Sequence, residues 1–218
     1  MICFFHFINT VNKLKPKIII AENVKGLILG KAKGYVKQIF QKFKEADYNT
    51  QLFLLDSSNM GVPQKRQRTF FIAHRKDLNM PKLELNFNEA AISVKKAIVD
   101  ININASNYPD LTENTLKLWH RTKLGRTLAT VHPNGSRFNE KKLDPNQPAP
   151  TLTTHCTPFH WSQPRRITKE EAIRLQTFPD DYNFLNTNGF YAIGMSVPPF
   201  MMQCLANEVK QQWLDKLA

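Results

Sequence analysis

Apolar positions recur at helical spacing at the start of the chain. Phe4, Ile8, Val11 and Leu14 fall on one face and predict an amphipathic helix over residues 2–14. Pro16 stops that pattern, and Lys17 to Ala21 (KIIIA) follows as a β-branched run of the kind buried in a sheet. Gly26, Gly30 and Gly34 punctuate a loop, after which Val36, Ile39, Phe40 and Phe43 mark the inner face of a second helix. Two further strands, Gln51 to Leu55 (QLFLL) and Thr69 to Ala73 (TFFIA), are joined by a loop containing Gly61 and Pro63. Helix alternating with strand predicts an open α/β sheet layered on both faces. Its last two strands are close enough in sequence to pair antiparallel at the edge.

From residue 76 to 164 this rhythm fails: prolines, asparagines and lysines are scattered and apolar runs are short. The segment reads as a separate irregular lobe. Order returns at Thr168, which with Glu171 forms a capping box and starts a helix carrying Ala172, Ile173 and Leu175 inward. Pro198-Pro199 opens a final helix with Met202, Leu205, Ala206, Val209 and Trp213 on one face. The expected organisation is therefore a sheet domain over 1–75, a lobe over 76–164 and a return to the sheet domain over 165–218.

Charge adds a partner class. Thirty Lys+Arg against 18 Asp+Glu give a net charge of +12, an excess that attracts polyanions, nucleic acid above all. The plain alternative is a basic surface facing water. Three scattered cysteines, Cys3, Cys156 and Cys204, exclude a disulfide framework or metal knuckle and fit a reducing cytoplasm. The apolar first residues carry neither a basic leader nor a cleavage site, and no run is long enough to cross a bilayer.

Four clusters carry candidate chemistry. Glu22-Asn23-Val24 follows the KIIIA strand, where open α/β sheets bind ligands; alone it also reads as a solvated loop. Gln64-Lys65-Arg66-Gln67-Arg68 enters the last strand with arginines at alternating positions, which share one side of a strand and can hold phosphate or a base edge. A charged sheet edge is the competing reading. Arg166 to Tyr182 is a capped helix and a Phe-Pro turn, structural by default. Gly194-Met195-Ser196-Val197 precedes a Pro-started helix and exposes backbone amides to a ligand, or simply punctuates helix entry.

Taken together and in this order, KPKIIIAENVKGL, GVPQKRQRTFFIAHR, RRITKEEAIRLQTFPDDY and IGMSVPP resemble the ENV, Q-x-R-x-R, R-L-Q-x-F-P-D and G-N-S-V-P-P motifs of bacterial DNA (cytosine-5) methyltransferases. The resemblance covers most of the chain except about 76–147, where that family carries its variable target-recognition region. It implies the late part of a Rossmann-like S-adenosylmethionine-dependent sheet plus a target-recognition lobe. It implies Glu22 at ring nitrogen 3 of a flipped cytosine, Asn23 shaping the same turn, Arg68 at the carbonyl oxygen and Arg66 at a phosphate or carboxylate. Gly194, Met195, Ser196 and Val197 would line part of the S-adenosylmethionine site. Gln64, Arg121, Lys123, Arg126 and Arg137 are candidate contacts to duplex DNA. No metal is implied.

The resemblance also breaks. The family's nucleophile is a cysteine in a Pro-Cys loop upstream of ENV, and these 218 residues contain no Pro-Cys dipeptide and no glycine-rich donor motif. Met195 replaces the family's Asn, and Glu170 stands where the family often has Arg. Three expectations follow: one part of a split enzyme completed by an N-terminal subunit, a truncated inactive product, or a non-enzymatic DNA-binding module.

Overall fold

The KIIIA run begins a strand that continues beyond the end of its apolar pattern. In the computed structural model, which describes residues 2–103, 110–154 and 157–217, β1 spans Ile18–Val24 and so includes Glu22 and Asn23. The polar tail is retained because β1 pairs along its whole length with β4 (Gln67–Arg75), and the ladder satisfies backbone groups whatever the side chains. The chain divides into two compact units.

The first unit comprises Met1–Asp56, Gln67–Asn86 and Ala206–Ala218. It contains α1 (Ile2–Leu14), β1, α2 (Lys33–Glu45), β2 (Tyr48–Asp56) and β4. The sheet order is β1-β4-β2, with β4 antiparallel to both neighbours. The last strand thus sits at the centre rather than at the edge that its short connection suggested. Centrality explains its composition: Thr69 to His74 are all buried, and a strand covered on both faces reads as a continuous apolar run.

One face of this sheet presents Ile19, Ala21, Phe71, Ala73 and Tyr48 to Phe4, Ile8 and Val11 of α1 and to Ile39 and Phe43 of α2, with Val36 and Phe40 packed alongside. Leu14 departs from the predicted stripe and is 74% exposed, lying at the helix end where the chain turns through Lys15 with φ 48°. Phe70 and Ile72 project to the other face and are equally buried. There His74 meets the Trp213 ring edge-on at 5.0 Å, and the Trp213 indole N–H donates to the Pro81 carbonyl at 2.9 Å.

The second unit comprises Ser57–Arg66 and Phe87–Leu205. Its elements are short: β3 (Gln64–Lys65), α3 (Val94–Ile98), α4 (Glu113–Arg121), β5 (Ala149–Pro150), α5 (Lys169–Leu175) and α6 (Gly189–Met195). β3 pairs parallel with β5. Where the sequence reading returns the chain to the sheet domain at 165, the compact unit retains everything up to Leu205. The final helix, α7 (Pro199–Gln212), buries Met201, Leu205 and Val209 at four-residue steps, with Trp213 next in line. Leu205, Val209 and Trp213 of the predicted face are therefore buried, while Ala206 is exposed and Met202 only half-buried, its place being taken by Met201.

The capping box forms as its spacing dictates: the Thr168 hydroxyl accepts from the Glu171 N–H, and the Glu171 carboxylate accepts from the Thr168 N–H at 2.8 Å. Ala172, Ile173 and Leu175 are buried, as their periodicity requires. Glu171 is itself only 2% exposed and takes both arms of the Arg165 guanidinium, at 2.8 and 2.9 Å. His160 lies beside this pair, its ring stacked on Trp161 at 3.8 Å and its Nδ1 accepting from the Gln163 N–H. Burial, reinforced by the Arg165 charge and opposed by Glu171, holds the imidazole down to about 4.

The neutral ring is therefore the folded form, while the unfolded histidine takes up a proton near 6.5. Its contribution to stability is complete above about pH 6.5 and drains away as pH falls toward 4. We expect His160→Gln to flatten the stability profile over that interval. Urea midpoints measured at pH 7 and pH 4.5 check this; an unchanged difference between the two midpoints contradicts it.

Candidate active site

The register of β1 on β4 decides which side chains meet. Glu22 lies opposite Phe70 and Val24 opposite Arg68, so Glu22 and Arg68 are diagonal neighbours on one face of the sheet. It is the face away from the α1 and α2 core. The Arg68 Nε donates to Glu22 Oε1 at 2.9 Å, with the two side chains 14% and 34% exposed. Nη1 of Arg68 also donates to the Gln67 carbonyl at 2.8 Å. Burial pulls the guanidinium below its ordinary value and Glu22 opposes the shift, so it stays cationic at neutral pH. A carboxylate and a fork of N–H donors are thus held together and still reached by solvent.

The surrounding strand ends are pinned. Lys25 donates to the Gln67 side-chain oxygen at 2.7 Å, and Gln67 donates in turn to Asp56 at 3.0 Å. The Asn23 carbonyl accepts from the Thr69 hydroxyl at 2.9 Å, while the Asn23 side chain accepts from the next backbone N–H at 2.9 Å. Asn23 faces the opposite side from Glu22, as strand alternation demands, and it acts within β1 instead of in a turn.

Arg66 differs from its expectation. The alternation argument needs one continuous strand, but β3 ends at Lys65 and β4 starts at Gln67. Arg66 is fully buried in the second unit, where its guanidinium donates to the Leu152 carbonyl at 2.9 Å and the Gly194 carbonyl at 2.7 Å. It grips backbone there, and no phosphate or carboxylate partner is needed to explain its position. Gln64 is likewise fully buried, donating to the Gln176 side-chain oxygen and accepting from the Leu152 N–H, which removes it from the surface expected of a DNA contact.

Gln176 is the residue that sequence reasoning passed over. It lies in the R-L-Q-x-F-P-D segment, and nothing in its spacing marks it. Its amide donates to the Ile193 carbonyl at 3.1 Å, the Ser196 carbonyl at 3.0 Å and the Ser196 hydroxyl at 2.9 Å. Three of the four motif clusters are therefore stitched together by side-chain amide and guanidinium bonds inside the second unit.

Gly194 and Met195 are the last residues of α6, a helix started by Asn188, whose side chain accepts from the Tyr191 N–H. They do not form the open pre-helix loop that the sequence suggested. The Gly194 carbonyl serves Arg66 and the Ser196 oxygens serve Gln176, while Val197 is half-buried in the link to α7. Met195, 64% exposed, is the one residue of the four with an exposed side chain. The Gly194 carbonyl and the Ser196 oxygens thus serve contacts within the second unit. The glycine has its own steric reason: a Cβ at 194 would collide with the backbone of Thr153 and Thr154. We expect Gly194→Ala to destabilise the second unit by about 1–3 kcal/mol, the cost of overpacking against atoms that cannot rotate away. Chemical denaturation measures it; wild-type stability in the alanine variant contradicts it.

The cations expected to touch DNA lie in the second unit. Arg121, Lys123 and Arg126 are exposed, while Arg137 is half-buried, donating to the Thr115 hydroxyl at 2.8 Å and lying 3.7 Å from Glu140. Cys156 lies outside the described residues; Cys3 belongs to α1, and Cys204 lies in α7. Among the described residues no helix is long and apolar enough to cross a membrane, and no cluster of three or more His, Cys, Asp or Glu is placed to hold a metal.

An α/β sheet with a carboxylate and guanidinium paired across two strand ends, joined to a basic irregular unit, defines a class that comparison makes specific. Residues 3–211 match the family model of C-5 cytosine-specific DNA methylases, and the chain belongs to that family. It is 30% identical to the type II methyltransferase M.NgoFVII of Neisseria gonorrhoeae and 32% identical to M.BbvI of Brevibacillus brevis, in each case over 88% of this chain and 58% of the relative. With M.FnuDI of Fusobacterium nucleatum identity is 27%, over 98% of this chain and 70% of the relative. The chain therefore spans a little over half to about two thirds of the length of these relatives. Its fold matches a prophage-encoded E. coli protein described as a DNA modification methyltransferase, with TM-score 0.77 and 24% identity over 95% of this chain and 72% of that one. The S. pombe Dnmt2 methyltransferase follows at TM-score 0.64 and 16% identity, over 95% and 71%. The fold is thus that of the Rossmann-like methyltransferases, whose C-5 cytosine members use S-adenosylmethionine as methyl donor.

Proposed function

We propose that this chain is the C-terminal part of a DNA (cytosine-5) methyltransferase of restriction-modification type, acting on carbon 5 of a cytosine flipped out of duplex DNA. The observation that carries the reading is the Glu22–Arg68 pair at 2.9 Å on adjacent strands, in a chain whose residues 3–211 match the family. Glu22, sharing a proton with ring nitrogen 3, draws electron density from the pyrimidine. Arg68 donates to the carbonyl oxygen beside it. Both interactions grow as the ring accepts a nucleophile at carbon 6, so both stabilise the transition state more than the bound base. S-adenosylmethionine supplies the methyl group when bound.

On this reading the nucleophile is supplied by a Pro-Cys loop, a dipeptide that these 218 residues do not contain. Extruding the base costs a few kcal/mol, and phosphate contacts from exposed cations such as Arg121, Lys123 and Arg126 offset part of it.

The test combines the chain with a polypeptide carrying the glycine-rich and Pro-Cys motifs and measures transfer of a labelled methyl group to duplex DNA. Incorporation by the mixture and by neither component alone supports the proposal. No incorporation counts for an inactive product, and salt-sensitive DNA retention without incorporation counts for a DNA-binding module.

A further inference from the structure

β2 is the outer strand of the three-stranded sheet, and it lacks the features that ordinarily protect an edge. Among the described residues, no backbone bond joins Tyr48 to Leu55 to any segment but β4. The strand runs for nine residues, and from Tyr48 to Leu55 it contains no charged residue, proline or glycine. Edges are usually kept short or interrupted by such residues, because a row of open N–H and C=O groups invites another strand. On the sheet face away from α2, Gln51 exchanges side-chain bonds with the Leu83 backbone at 3.0 and 2.8 Å, which leaves the β2 main chain unengaged.

The side of β2 that faces α2 is also incompletely covered. Tyr48 is buried and Leu52 half-buried against the core, while Leu54, next on the same side, is 43% exposed. Between this edge and α2 lies a groove of about 640 Å³, with Val36, Phe40 and Tyr48 as its apolar lining. Thr50 lines it too, and its hydroxyl oxygen is shut off from solvent without a hydrogen-bond partner. Lys37 and Lys44 of α2 stand along the groove with Lys76, and no acidic residue lines it. Asp47 pairs with Lys76 at 3.4 Å, whereas Lys37 and Lys44 have no ion-pair partner among the described residues.

We propose that the outer edge of β2 docks an extended acidic segment of a partner polypeptide, which joins the sheet as a further strand. Main-chain bonds to β2 supply the affinity, alternate apolar side chains enter the groove beneath α2, and carboxylates meet the three lysines. A second copy of this chain fits less well: a continuous sheet through two β2 edges lays α2 beside α2 and sets lysine against lysine. Nucleic acid phosphates satisfy the lysines but leave the open backbone and the apolar lining unused. The groove lies on the α1 and α2 side of the sheet, opposite the Glu22–Arg68 pair, so an occupant leaves that pair accessible. This docking is independent of the function proposed above.

The experiment titrates the full chain into a labelled, end-blocked peptide of about nine residues that alternates valine and glutamate, and follows fluorescence anisotropy. We expect saturable binding that weakens about tenfold when two consecutive central peptide nitrogens are methylated, which removes a donor from each edge and leaves the charge unchanged. Lys37→Glu combined with Lys44→Glu, both at exposed helix positions, should weaken the same peptide about tenfold at low salt and admit a valine–lysine peptide instead. Circular dichroism checks that the double variant is folded. No binding, or binding indifferent to methylation, overturns strand addition, and binding indifferent to the two charge reversals overturns the site. Displacement of the peptide by a short duplex makes this face a nucleic acid site, and a concentration-dependent dimer that the peptide does not dissociate makes it a contact between copies; either result overturns the proposal. Methyl transfer enters none of these readings, so the roles of Glu22 and Arg68 stand or fall separately.

Discussion

On the function proposed above, replacing Glu22 with alanine is expected to lower methyl transfer by the assembled enzyme about 10²- to 10⁴-fold, the span typical of a removed general acid–base group. The argument is geometric. Glu22 is one-third exposed at the end of β1, and its Oε1 lies 2.9 Å from Arg68. The apolar core of the first unit is built from other positions, so the variant should keep its fold and lose only the carboxylate paired with Arg68. Glu22→Gln retains a donor for ring nitrogen 3 but no titrating proton, and should fall between the two. Arg68→Ala should cost less than Glu22→Ala. The double variant should cost less than the product of the singles, because the two groups are in contact and, on the proposed reading, serve one ring. Single-turnover rates on duplex DNA read all four. A Glu22→Ala enzyme within threefold of wild type would remove the carboxylate from the mechanism.

The largest effect on stability is expected at Glu171. Its carboxylate caps α5, accepts both arms of Arg165 and is 2% exposed, while Arg165 is 7% exposed. Removing the acid leaves a buried guanidinium without its counter-charge and strips an N-cap interaction, so Glu171→Ala should destabilise the second unit by about 3–5 kcal/mol. A paired substitution, Glu171→Ala with Arg165→Met, should recover much of that loss, because the penalty is mainly the orphaned charge. Denaturation followed by the fluorescence of Trp119 and Trp161, both in this unit, separates the cases. Equal destabilisation in the single and double variants would contradict this account.

Legibility in the sequence followed the reach of the forces involved. The capping box, both early helices and the strand cores were readable because they depend on spacings of two to four residues. The Glu22–Arg68 partnership was foreseen only through a resemblance: its members are 46 positions apart, and the register that joins them is set by the whole of β4. Centrality of β4 was hidden because sequence proximity to β2 suggests an edge hairpin, whereas the pairing with β1 is non-local. Arg66 and Gln64 misled for a related reason. Charged and polar residues on a strand ordinarily face water, and here a one-residue break between β3 and β4 turns Arg66 into the interior. Gln176 carried no signal, since an amide that bonds four groups looks like any other glutamine until the groups are in place.

The centre strand also has a meaning for how the chain tolerates change. Every side chain of β4 from Thr69 to His74 is dry, and each is matched to a partner on both flanks. Slipping the strand by one position would push alternate phenylalanines to the wrong side, and the same slip would swing the guanidinium away from its carboxylate. Greasy contacts thus act as a vernier for a polar one. Lineages free to vary the loops can do so without retuning the aim of Arg68, while even one residue inserted into that strand forfeits shape and chemistry together.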